Sequence, residues 1–205
     1  MKLEGKPGEI TMRGMIGDFH EGVSSDDFMD LLSDQTGDLV INLDSEGGCV
    51  STGISIYNQI RSYDGGEVTV HIDSRACSVA TIIACSADKV IMNSTALYFM
   101  HNAWTIAAEN AKGFKKLAEI LDMLDAQMSE VYADRSGMSP EECKGLMDAE
   151  TWMSAEQAVE SPEGVQERPE WLPEKFKTEE EMAKAYSSLE KKLGDGGEEP
   201  AEGEP

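Results

Sequence analysis

The chain has 205 residues, a formal net charge of −23 and 40% hydrophobic residues. That length holds one domain with extensions, and the apolar content is enough for a core. So acidic a chain repels nucleic-acid backbone and anionic lipid, which excludes both as expected partners.

The opening MKLEGKPGEI lacks an apolar signal core, and residues 1–8 read as an N-terminal arm. EITMRGMI (9–16) alternates in part and reads as a strand. SSDDFMDLLSDQ (24–35) starts on N-cap residues and sets Phe28, Leu31 and Leu32 on one helical face. DLVINLDSEGG (38–48) is a continuous apolar run ending in a glycine pair, the pattern of a parallel strand covered on both faces. VSTGISIYNQIRSY (50–63) has helical period, and EVTVHID (67–73) reads as the next strand. CSVATIIACSA (77–87) is apolar nearly all round and predicts a buried helix. KVIMN (89–93) and ALYFMHNAW (96–104) are further strands. Residues 113–137 form a long amphipathic helix with Gly137 as its stop, and its length suits contact with another subunit. SPEECKGLMD (139–148) carries a capping box, and SAEQAVE (154–160) reads as a further short helix. From 161 to 205 the chain is an acidic extension rich in Glu, Pro and Gly, expected to be partly disordered, with a charged helix at 178–193.

Strands alternating with helices predict an α/β domain over 9–160 with a mainly parallel sheet. Right-handed crossovers then bring the SEGG and RACS turns to one carboxyl edge, where open α/β folds bind ligands. Ser78 opens a helix there, so the N–H of Val79 has no intrahelical acceptor. Gly47 and Gly48 let backbone approach a substrate closely and supply a second donor. Ser78 therefore reads either as a helix cap or as a nucleophile. Of the three histidines, His20 sits in a polar loop and His71 within a strand, while His101 stands at a strand end and is the best-placed base. The four cysteines, Cys49, Cys77, Cys85 and Cys143, form no CxxC pair, so no metal site is expected and a reducing, cytoplasmic setting fits. No apolar run reaches the ~18–20 residues that cross a bilayer.

Four segments in order resemble the Clp peptidase family, and within it the ClpP-like proteases of tailed bacteriophages: LVINLDSEGGCVSTGISIYNQI, VTVHIDSRACSVATIIACSADK, ALYFMHNAW and ETWMSAEQAVE. The resemblance implies a ClpP/crotonase-like α/β fold of repeated β-β-α units, with residues 113–137 as a protruding handle helix. It implies a serine endopeptidase without cofactor, with Ser78 as nucleophile, His101 as base, and the N–H groups of Gly48 and Val79 as oxyanion donors beside Gly47. It further implies homo-oligomeric rings, heptameric or stacked, acting on capsid or scaffold protein during head maturation. The acidic partner of His101 falls on Glu150, with Asp148 as rival and a Ser-His dyad as the third reading. Glu46 stands where the family has proline, and AVESPEGVQERPEW replaces its closing strand. The short stretch before the first strand counts against docking to an ATPase unfoldase. Two other functions stay open: a crotonase-like acyl-CoA enzyme using the two amides on a thioester, and an assembly module with a vestigial site.

Overall fold

The computed structural model describes residues 2–17 and 22–159. The extension beyond residue 160, the helix expected at 178–193 and His20 lie outside the described residues. The elements run β1 (Lys2–Lys6), β2 (Glu9–Arg13), α1 (Ser25–Ser33), β3 (Leu39–Ser45), α2 (Val50–Arg61), β4 (Val68–Cys77), α3 (Val79–Cys85), β5 (Lys89–Met92), β6 (Leu97–Met100), α4 (Ala111–Ser136), α5 (Pro140–Asp148), β7 (Thr151–Ser154) and α6 (Ala155–Val159).

Period-2 side chains decide how the sheet is used. Along β3, Leu39, Ile41, Leu43 and Ser45 point inward and are buried, while Val40, Asn42 and Asp44 point the other way. Strand β2 does the same with Ile10 and Met12. The inward rows meet α1, α2 and α3. Helix α3 has Val79, Ala80, Thr81, Ile82, Ile83 and Ala84 all buried, as its all-round apolar sequence predicts. Burying each such isoleucine contributes about 1.5–3 kcal/mol. Gly53 of α2 lets the two helices meet, since a Cβ there would lie 2.1 Å from Val79 Cγ2.

The seven strands make one sheet, ordered β1-β2-β3-β4-β6-β7 with β5 also on β4. Its centre is parallel, and β1 and β7 are antiparallel edges. Strand β4 is ten residues long and forks. Its first half pairs with β5, and its last three residues, Arg75 to Cys77, pair with Leu97 to Phe99 of β6. The fork carries the end of β4 up to the strand that leads to His101.

Two expectations need correction. The run 38–48 is covered on one face only: Val40 is 38% exposed and Ile91 of β5 is 40% exposed. Among the described residues the buried side chains of these strands lie on the other side, and this face is left partly exposed. Residues 2–6, read as an arm, form β1, which pairs in register with β2 from Lys2↔Arg13 to Lys6↔Glu9. Strand β7 was not foreseen either, because four residues are too few to show a period.

Helix ends follow their caps. Ser24 accepts from the N–H of Asp27, Asn110 from those of Lys112 and Gly113, and Ser139 with Glu142 closes a capping box. Gly137 ends α4 in the left-handed conformation, φ 73°.

Candidate active site

The β4–α3 turn carries Ser78 at φ 56° and ψ −132°, a region that favours glycine. Only Glu150, at φ 49°, shares a positive φ among described non-glycine residues. Such a conformation costs about 1–3 kcal/mol and persists only where its surroundings fix it. Here the Ser78 N–H donates to Phe99 O at 2.9 Å, and the Ser78 carbonyl accepts from the Thr81 N–H at 2.9 Å and from the Thr81 hydroxyl. The Ser78 side chain makes no capping hydrogen bond to α3. A serine at a helix start ordinarily caps it; this one leaves its hydroxyl unspent.

The glycine turn after β3 lies against Ser78. A Cβ on Gly47 would sit 2.5 Å from Cys77 O and 2.7 Å from Ser78 Cβ, and one on Gly48 would sit 2.0 Å from Ile16 O. With φ values of 89° and 149°, neither position tolerates a side chain without movement of backbone. Buried Ser45 braces the turn: its hydroxyl donates to Gly14 O at 2.7 Å and accepts from the Gly47 N–H at 3.0 Å. Ile16 donates to Gly47 O at 2.9 Å, and Cys49 to Ile16 O at 2.8 Å. Among the described residues no backbone acceptor takes the N–H of Gly48. The N–H of Val79, first in α3, has no intrahelical acceptor either. Two open amides thus flank the Ser78 turn. Glu46 meets Arg75 of β4 at 3.3 Å, an ion pair across the two turns.

His101 follows β6, and its ring stacks on Phe99 at 5.0 Å and 12°. Phe99 stacks in turn on Trp152 of β7 at 4.1 Å. The β6–β7 ladder ends at Met100 with Thr151, one residue short of His101 on one strand and of Glu150 on the other. Burial lowers the His101 pKa below its ordinary 6.5, while the charges of Glu150 and then Asp125 oppose that shift. That direction favours the neutral ring that a general base needs. Asp148 is engaged elsewhere. It accepts from the Asn102 side-chain amide at 2.7 Å and from Lys144 at 3.1 Å, bonds that hold its carboxyl below the usual range. His71 bonds Asp73 at 3.2 Å on the partly exposed sheet face, where Arg13 meets the same carboxylate at 2.7 Å.

So two adjacent turns bring Ser78 and Val79 against Gly47 and Gly48, with His101 two residues past Ser78's partner Phe99. No hydrogen bond among the described residues joins the Ser78 hydroxyl to the His101 ring. Such bonds are often long before substrate binds. Asp125, buried on α4, and Ser45 were missed in the sequence. A carboxylate within the apolar stripe from Leu117 to Tyr132 was the available signal for Asp125.

A hydroxyl on a constrained strand-to-helix turn, with unpaired amides beside it and an imidazole near by, is equipment for acyl transfer of the serine-peptidase class. The family model for Clp protease matches residues 17–162, more than half of the chain. The chain belongs to the Clp protease family, and its class is that of a serine-type endopeptidase. Among its relatives are the ATP-dependent Clp protease proteolytic subunit 2 of Tropheryma whipplei (strain Twist), 28% identical over 131 residues, and subunit 3 of Rhodococcus jostii (strain RHA1), 27% identical over 128. The first alignment covers 60% of this chain and 69% of the relative, and the second 62% and 63%. The corresponding subunit of Lactococcus lactis subsp. cremoris (strain SK11) is 25% identical over 154 residues, covering 71% of this chain and 77% of that protein. Among the described residues no helix is long and apolar enough to cross a membrane.

Proposed function

We propose that Ser78 is the nucleophile of an endopeptidase, with His101 as general base, Glu150 as the carboxylate that orients it, and the N–H groups of Gly48 and Val79 as the oxyanion donors. The observation that carries the reading is the Ser78 turn: a strained, uncapping serine held against glycine. In the reaction Ser78 Oγ attacks the scissile carbonyl and its proton passes to His101. The two amides take the charge that develops on the carbonyl oxygen, and Gly47 leaves room for the peptide backbone. His101 then protonates the leaving amine. Water, deprotonated by the same ring, releases the acyl group. Glu150 is favoured over Asp148 because the ladder ends one residue short of both it and His101 and its charge acts on the ring, whereas Asp148 Oδ1 accepts from both Asn102 and Lys144.

The substrate class is protein, and the resemblance to the phage branch points to capsid or scaffold protein. A homo-oligomeric ring is supported by the partly exposed sheet face and by exposed apolar residues on and before α4: Trp104 at 69%, Ile106 at 88% and Met123 at 65%. The absence of a Ser78–His101 hydrogen bond favours the second reading, an assembly module without turnover. One experiment decides between them. Wild type and Ser78→Ala are treated with a fluorophosphonate and incubated with capsid and scaffold proteins, and products are read by mass spectrometry. Labelling and cleavage that vanish in Ser78→Ala support the protease. Equal behaviour of the two proteins removes it.

A further inference from the structure

Asp125 lies in the middle of α4 with 5% exposure, and no lysine or arginine pairs with it among the described residues. A buried carboxylate without a cation is costly, so its surroundings must return something for it. Its one hydrogen bond is from the backbone N–H of Ala103, at 2.7 Å, the short distance of a charge-assisted bond. Ala103 is two residues past His101 on the strap that leaves β6. Seven residues further along α4, on the same face, the Tyr132 hydroxyl meets Thr81 Oγ1 at 2.6 Å, and that threonine hydroxyl donates to the Ser78 carbonyl. One face of α4 is therefore tied to the His101 strap at Asp125 and to the Ser78 turn at Tyr132.

We propose that Asp125 is a positioning residue for His101, fixing the strap through Ala103 so that α4 sets where the imidazole stands relative to Ser78, and offering a buried negative charge to the imidazolium. This rests on His101 being the general base. The carboxylates whose charges act on His101 are Glu150, from the turn before β7, and Asp125, from α4; both raise its proton affinity against burial. Among the described residues Asp125 has no counter-charge. That deficit is relieved when His101 takes the Ser78 proton, so the interaction is stronger in the transition state than in the ground state.

The test compares Asp125→Asn, Asp125→Ala and Ser129→Ala in the full chain. Ser129 is equally buried on α4, bonds only Ala126 O within the helix, and controls for general damage to the helix. Peptide hydrolysis, fluorophosphonate labelling of Ser78, thermal melting and the NMR titration of the His101 ring are read for each. Asp125→Ala is expected to lower kcat and labelling rate about 10- to 100-fold with KM nearly unchanged, the size of one lost charge-assisted bond. Asp125→Asn keeps an acceptor for Ala103 and is expected to recover part of that loss. In both variants the His101 titration moves to lower pH. An Asp125→Ala loss no larger than that of Ser129→Ala, or a His101 titration unmoved in both Asp125 variants, overturns the proposal. The NMR reading needs no turnover. If Ser78→Ala still hydrolyses peptide, the nucleophile assignment fails, while the His101 titration still decides the role of Asp125.

Discussion

The Ser78 turn and the His101 strap lie side by side and are built by different means. Backbone hydrogen bonds and close glycine packing hold the first: Ser78 N–H on Phe99 O, Ile16 on Gly47, Cys49 on Ile16, with buried Ser45 as the brace. Two side-chain carboxylates brought from other elements hold the second: Asp125 of α4 on Ala103 and Asp148 of α5 on Asn102. Backbone geometry is fixed once the strands pair. Carboxylates respond to pH, to salt and to displacement of the helices that carry them. The Ser78 turn is thus the rigid half of the proposed site and the His101 strap the adjustable half.

That contrast breaks most sharply at Gly48. Gly48→Ala drives a Cβ to 2.0 Å from Ile16 O and turns the free amide away. We expect kcat to fall about 100- to 1000-fold, the usual loss for one oxyanion donor, with melting temperature lowered as well; steady-state kinetics and calorimetry check both. A variant of ordinary activity would show that the rigid half is not the oxyanion hole.

On the adjustable side, Glu150→Gln is expected to reduce kcat by about 10- to 100-fold, and Asp148→Asn by less than about threefold, since exposed pairs contribute little. The sign of the pH effect follows from the charges. Glu150 raises the His101 pKa, so removing it lets burial act alone and carries the acid limb of the kcat/KM profile to lower pH. A profile that moves in Asp148→Asn instead would exchange the two roles.

The smallest effect belongs to Glu46, at the position where the family resemblance puts a proline. Its exposed pair with Arg75 links the two turns electrostatically. Glu46→Ala is expected to lower kcat less than about fivefold at low salt, fading as ionic strength rises. Parallel rate measurements at two salt concentrations read it. A loss indifferent to salt would mean that the pair has no part in bracing the turn.

Much of this fold could be read in the chain itself. The α/β order, the buried α3, the capping box at Ser139 and the stop at Gly137 are local patterns spanning a turn or a strand, and the structure keeps each of them. Ser78, the glycine pair and His101 could be named because they fall where strands end. The strain at Ser78 could not, since its φ is imposed by pairing between Cys77 and Phe99, twenty-two positions apart. The resemblance put the acidic member on Glu150, with Asp148, two residues earlier, as its rival. The structure bonds Asp148 to Asn102 and Lys144, while the β6–β7 ladder ends one residue short of both Glu150 and His101.

Sequence by itself determined which segments become strand or helix and which residue types reach the carboxyl edge of the sheet, because periodicity and caps act over a few residues. Tertiary structure decided that Asp125 reaches the His101 strap, that Asp148 is bonded to Asn102 and Lys144, and that among the described residues one sheet face is partly exposed. Those outcomes depend on packing between residues far apart in the chain, and no short-range pattern encodes such distances.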